Sequence, residues 1–195
     1  MAKIAKDSPM AAVSGKLGTL IFKQVKGQTI ITRAPAKPRK ESEKQKEQRE
    51  SFREAIVYSR RARKNPEINA LYTAIAAASP RSLTAHNVAV TDYLARPVIT
   101  AVNAEGYTGK AGETLVITTT HPVKVVSLKV QLLTYVGVVV EEGIATEHTL
   151  HRNEECLTTQ WHYITTKVNP HRKGTRLSLV ATDIPKHEVK KTFKI

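Results

Sequence analysis

The sequence predicts an α+β chain in which an N-terminal β-hairpin and three helices precede a β-sandwich of seven strands. Three observations carry this. Apolar residues recur at helical spacing between Glu41 and Arg96 and at alternate positions after Pro97. Two apolar, β-branched runs flank Lys26-Gly27-Gln28 near the start. Proline-bearing breaks at Pro35, Pro38, Pro66, Pro80 and Pro97 fall where one pattern stops and the next begins.

In order along the chain, the first thirteen residues show no period and read as an arm. Residues 17–25 and 29–33 read as the strands of a hairpin, with Gly27 supplying the positive φ of a tight turn. Its apolar residues are Leu20, Ile21, Phe22, Val25, Ile30 and Ile31. An isolated two-stranded hairpin is marginal in water, so these six are expected to pack on the rest of the chain or on another subunit. Residues 34–40, with Pro35 and Pro38, read as a stiff, extended linker. The expected organisation is arm, hairpin and linker over 1–40, a helical segment over 41–96 and a sandwich domain over 97–195.

Residues 41–64 are dense in Glu, Lys, Gln and Arg, all good helix formers. The first half of this helix is polar all round and held by i,i+4 charge pairs; an apolar stripe starts only at Phe52 and Ile56. Asn65-Pro66 ends it and opens the next helix, where Ile68, Leu71, Tyr72 and Ile75 follow the i, i+3, i+4, i+7 template. Ser79-Pro80 breaks that helix. A third begins near Ser82 or Thr84 and runs to Ala95, with Val88, Ala89, Tyr93 and Leu94 as buried candidates. The strand pattern then covers 98–103, 113–119, 123–133, 136–146, 158–167, 175–182 and 187–194, with turn-type residues between. Such a run of short strands predicts an immunoglobulin- or fibronectin-like sandwich. The Cys…Trp…Cys pattern of antibody domains is absent, so the expected likeness is one of architecture.

Composition narrows the function. Cys156 is the single cysteine, which rules out an internal disulfide. No apolar stretch approaches the roughly 18 residues of a membrane span, and the N-terminus lacks the apolar core of a secretory signal. The expectation is cytoplasmic synthesis without a signal peptide and no membrane partner, with a place in a virion or released particle left open. The net charge of +14 is unevenly spread: residues 1–96 carry 19 Lys and Arg against 8 Asp and Glu, residues 97–195 carry 12 against 9. A basic half of this kind suits a polyanion or an acidic neighbour; the alternative is a solvated basic surface. Lys37, Arg39 and Lys40 sit in the linker. Arg60, Arg61, Arg63 and Lys64 cluster at a helix C-terminus, where cations also complement the helix dipole. Aromatic residues are scarce among them, so nucleic acid, if it is the partner, is expected to be held by phosphate contacts.

No active site is legible. His148, His151, Cys156 and His162 do not match the spacing of a closed zinc site. Glu141-Glu142 and Glu154-Glu155 read as exposed turn residues. Ser14-Gly15-Lys16-Leu17-Gly18 precedes a strand and not a helix, so it is no phosphate loop. The expectation is a non-enzyme with no cofactor and no metal.

Several segments together resemble an uncharacterised bacterial family with phage-like features. They are Ser14–Gly18, the hairpin over 20–33, Pro35–Pro38, Gln48-Arg49-Glu50-Ser51-Phe52, and the stretches over 65–72 and 85–93. Residues 139–145 and Trp161-His162-Tyr163 resemble sandwich modules appended to that family. The likeness covers most of the chain. It implies no catalytic residues; it implies a component of a particle or filament, and the Arg60 to Lys64 cluster is not part of it. The functional expectation is therefore a self-assembling structural protein joined to neighbouring copies by strand addition from its arm and hairpin. The alternative is a nucleic-acid-binding architectural protein that uses its basic N-terminal half.

Overall fold

The computed structural model describes residues 2–4, 8, 13–25, 28–34, 41–153, 155–170 and 172–195. The turn at Lys26-Gly27 and the linker over 35–40 lie outside the described residues. The chain divides into two compact units, Met1–Glu47 and Gln48–Ile195.

In the first unit the expected hairpin is present as β3 (Leu20–Val25) and β4 (Gln28–Arg33), paired antiparallel from Leu20↔Arg33 to Val25↔Gln28. It does not stand alone. Two short strands from the expected arm, β1 (Ala2–Lys3) and β2 (Gly15–Leu17), flank it in the order β1-β4-β3-β2. The run read as one strand over 17–25 is broken at Gly18, whose φ of +57° turns β2 into β3. Phe22 and Thr29 are buried, Ile21, Ile30 and Ile31 half-buried, and Leu20 is exposed. Glu43 opens α1 (Glu43–Ala62), which runs from the first unit into the second. Ser42 and Gln45 cap it reciprocally, a Ser-x-x-Gln box.

In the second unit α1 buries Ala55, Ser59 and Ala62, spaced i, i+4, i+7. Phe52, expected on the apolar stripe, is exposed because the stripe runs through these small residues instead. α2 (Pro66–Ala78) is capped by Asn65, whose side chain accepts from the amides of Glu67 and Ile68. α3 (Ala85–Leu94) is capped by Thr84. Val88 and Ala89 are buried as expected, but Leu94 is exposed and Asp92 takes the interior position. Tyr72, Ala76, Val88 and Ala89 form a core with Val123, a residue from the end of the sandwich.

The sandwich has eight strands: β5 (Val98–Asn103), β6 (Thr114–His121), β7 (Val125–Leu133), β8 (Val139–Ile144), β9 (Thr146–Arg152), β10 (Leu157–Ile164), β11 (Arg176–Asp183) and β12 (Glu188–Lys194). They form two four-stranded sheets, β5-β6-β10-β9 and β12-β11-β7-β8. The run read as one strand over 136–146 is β8 followed directly by β9. At Ala145 the chain leaves one sheet for the other without a Gly or Pro to mark the crossing. Leu115, Ile117 and Trp161 of one sheet meet Leu128, Val130 and Leu179 of the other in a single core. The Trp161 indole N–H donates to Thr119 Oγ1 at 2.8 Å, so its one polar atom is satisfied inside the core.

At one end of the sandwich the loops 104–113 and 165–175 lock together at Gly109. Its φ is +93°, and a Cβ there would lie 2.6 Å from the Asn169 carbonyl oxygen, a backbone atom that cannot move aside cheaply. A Gly109→Ala change is expected to cost about 2 kcal/mol or more in denaturant unfolding, combining strain and clash. Gly106→Ala, in open space three residues earlier, is expected to cost less than about 0.5 kcal/mol. Equal costs at the two positions would show that the Gly109 contact does not hold the loops.

Candidate functional site

The outer strands of the first unit's sheet are short. β1 pairs with β4 only at Ile30 and Ile31, and β2 pairs with β3 only from Leu20 to Phe22. The Ile4 amide donates to the Thr29 carbonyl past the end of β1, and Gln24 Nε2 donates to the Val13 carbonyl at 3.4 Å past the start of β2. Val13, Leu17 and Leu20 are exposed on this sheet, Leu17 by 68%.

The cationic residues fall into three groups. Lys37, Arg39 and Lys40 lie outside the described residues. Arg63 is half-buried, and its Nε donates to the Ser59 carbonyl, the capping role that a helix C-terminus favours. Arg60, Arg61 and Lys64 are exposed and form no ion pair among the described residues; Arg53, at helical spacing from Arg60 and Lys64, shares their state.

A buried polar network, which spacing did not reveal, lies where the helices meet the sandwich. The Tyr72 hydroxyl donates to Asp92 Oδ2 at 2.6 Å and lies 2.9 Å from the Tyr58 hydroxyl. Asp92, His121 and Asp183 are sealed from solvent, with His121 between the two carboxylates. The Val123 amide donates to His121 Nδ1, so Nε2 carries the ring proton and points toward Asp183 Oδ2, 3.8 Å away. Asp92 Oδ1 and His121 Nε2 have no hydrogen-bond partner among the described residues. On the other side, His187 Nδ1 is 2.9 Å from Asp183 Oδ2 and 3.1 Å from an Arg96 guanidinium nitrogen. Burial pushes Asp92 up to about 7, opposed by the Tyr72 hydrogen bond and assisted by the charge of Asp183. Burial also pushes the Tyr58 hydroxyl up to about 12 and holds His121 below its ordinary value. The members stand at 58, 72, 92, 121, 183 and 187, on six different elements or turns, so no linear motif could announce them.

The remaining candidates are structural. His148 and His162 come together from neighbouring strands, but their rings stack with centroids 3.9 Å apart and 13° between planes. Parallel rings do not aim two lone pairs at one ion. Among the described residues no group of three or more His, Cys, Asp or Glu could hold a metal. Glu141 is a correction: it is buried, and its carboxylate accepts from the amides of Thr166 and Lys167 and the Thr166 hydroxyl. Glu154 lies outside the described residues, and Glu155 faces Arg81 in an exposed pair at 3.5 Å. An apolar cavity of about 640 Å³ opens between α2, α3 and the sandwich, lined among others by Ile75, Leu83, Val88, Pro122 and Arg152. Arg152 is committed there to the Pro122 and Val123 carbonyls. No described helix is long and apolar enough to cross a membrane.

No family model and no curated protein matches the chain. A solved structure with some similarity is CopC from Methylosinus trichosporium OB3b, at 11% identity over 51% of this chain and 90% of that chain, with a TM-score of 0.30. Likeness at that level carries no argument about function.

The buried network gives a pH test. Asp92 is raised in the folded state, so the stability it contributes is full below about pH 4 and is lost as pH rises through about 7. His121 is lowered and works in the opposite sense, adding a cost as pH falls below about 6.5. Asp92→Asn keeps the acceptor for Tyr72 and removes the titrating group. Urea unfolding across pH 5 to 8 is expected to show the variant gaining on the native protein as pH rises, by on the order of 2–4 kcal/mol. Parallel pH profiles would contradict the assignment.

Proposed function

We propose that this chain is a non-enzymatic structural subunit that joins its neighbours by strand addition at the N-terminal sheet, within a particle or filament of phage-like kind. The exposure of Leu17 and Leu20 on a small sheet with short outer strands, in a unit that is compact by itself, is the observation that carries this reading. The resemblance of the N-terminal segments points the same way. The second unit then serves as the module that the assembly displays. We read that module as immunoglobulin-like: relabelled A to G with one added strand, its sheet orders become A-B-E-D and G-F-C-C′.

A second reading, a nucleic-acid-binding architectural protein, is favoured by one observation. Arg53, Arg60 and Arg61 of α1, and Lys64 just after it, are exposed and form no ion pair among the described residues, as phosphate contacts require.

Size-exclusion chromatography with light scattering separates the two. The full-length protein at low salt is expected to run as a concentration-dependent oligomer, and Leu17→Glu with Leu20→Glu, both exposed on the N-terminal sheet, is expected to weaken it at least tenfold. A strictly monomeric full-length protein sinks the assembly reading. If instead DNA or RNA is bound at about 50 mM salt and released by Arg60→Glu with Arg61→Glu, the second reading stands.

A further inference from the structure

We propose that the end of the sandwich remote from the helices docks on an anionic lipid surface, through an apolar hairpin tip set in a collar of cations.

Three loops make this end. Residues 134–138 connect β7 to β8 in a tight turn: the Gly137 amide donates to the Thr134 carbonyl, and the Thr134 amide to that of Val138. Gly137, at φ +90°, permits the turn. Tyr135, Val136 and Val138 are thereby held outward, 60%, 63% and 62% exposed. The loop 165–175 comes alongside, where a Cβ on Gly174 would lie 3.1 Å from that of Tyr135, and it adds Val168, 66% exposed. The loop 104–113 is tied to it by the Asn169 amide donating to the Gly109 carbonyl. The helices dock at the opposite end, beside His121 and Val123, about 25 Å away along the eight residues of β6.

The exposed charge around the apolar tip is mainly positive. Lys110, Lys167, Arg172 and Lys173 are exposed on these loops and form no ion pair among the described residues. Of the carboxylates, Glu113 is taken up by the amides of Thr108, Gly109 and Lys110, and Glu141 by those of Thr166 and Lys167. Glu105 is the exposed one. Tyr135, Arg172 and Lys173 line one groove together with Pro170 and Ile195, so the aromatic ring and the cations share a surface.

This pairing selects the partner. Aliphatic side chains on a convex tip meet a rigid protein over little area, well short of the roughly 1,000 Å² a stable interface needs. Acyl chains close around such a tip, while the cations meet phosphate headgroups and the tyrosine sits at their level. A second copy is disfavoured, because its own collar carries the same charge.

The test uses the full-length protein and sedimentation with vesicles of phosphatidylcholine alone or with about 30% phosphatidylserine. Binding is expected to the anionic vesicles only and to fall with salt. Val136→Asp with Val138→Asp, and separately Arg172→Glu with Lys173→Glu, are expected to weaken it at least tenfold while leaving the melting temperature unchanged. Val138→Trp supplies a second readout, since Trp161 is buried and the new indole alone should shift its emission to the blue on binding. No binding to anionic vesicles overturns the proposal. So does binding that the tip variants leave intact, which would assign it to the cations of α1, and so does a tip variant that lowers self-association instead.

Discussion

The Tyr72 to Asp92 hydrogen bond is the contact on which the second unit turns. At 2.6 Å and out of reach of water, it gives a buried carboxyl its one short donor. Ionising that carboxyl there costs several kcal/mol in desolvation, which is why the proton is kept to about pH 7 and not released near 4. To place Asp92 against Tyr72, α3 must lie across α2, and to fill the space beyond Asp92, His121 must leave β6 at that point. The helices therefore meet the sandwich through specific polar groups as well as through Tyr72, Val88 and Val123 packing. A purely apolar joint would allow the helical segment to slide; one with directed hydrogen bonds fixes its position.

The fold was legible wherever a local pattern had one physical cause. The hairpin, the proline-delimited helices and most strands followed from period and turn chemistry. The failures are specific. The β8 to β9 crossing was missed because Ala145 changes sheets with no turn residue, so two strands read as one. Phe52 was misplaced because α1 packs through Ala55, Ser59 and Ala62, and small residues give little hydrophobic contrast. Leu94, expected inside, is exposed and Asp92 is buried instead because the interior of this joint is polar, a preference set by residues far along the chain. The short flanking strands β1 and β2 pair over two and three residues, too few for any alternation to show.

The candidate sites divide by the same rule. Basic clusters are contiguous and were visible; of these, Arg63 turned out to serve its own helix, while Arg60, Arg61 and Lys64 remain exposed. Glu141 looked like a turn residue because nothing local reveals that the amides of Thr166 and Lys167 fold over it. The Asp92–His121–Asp183 group and the apolar tip at Val136 and Val138 are products of tertiary assembly. In each case the residues that matter are common ones, and only their juxtaposition is unusual.

In the proposed division of work, the second unit is the displayed module, held by its polar joint, and the first unit's sheet is the part that meets a neighbour. Hydrogen–deuterium exchange of the full-length protein at low and high concentration tests that claim most directly. The account predicts that amides of β2, β3 and β4 gain protection as concentration rises, while those of β6 and β11 in the sandwich core stay unchanged. Protection of the N-terminal sheet that is independent of concentration would contradict it.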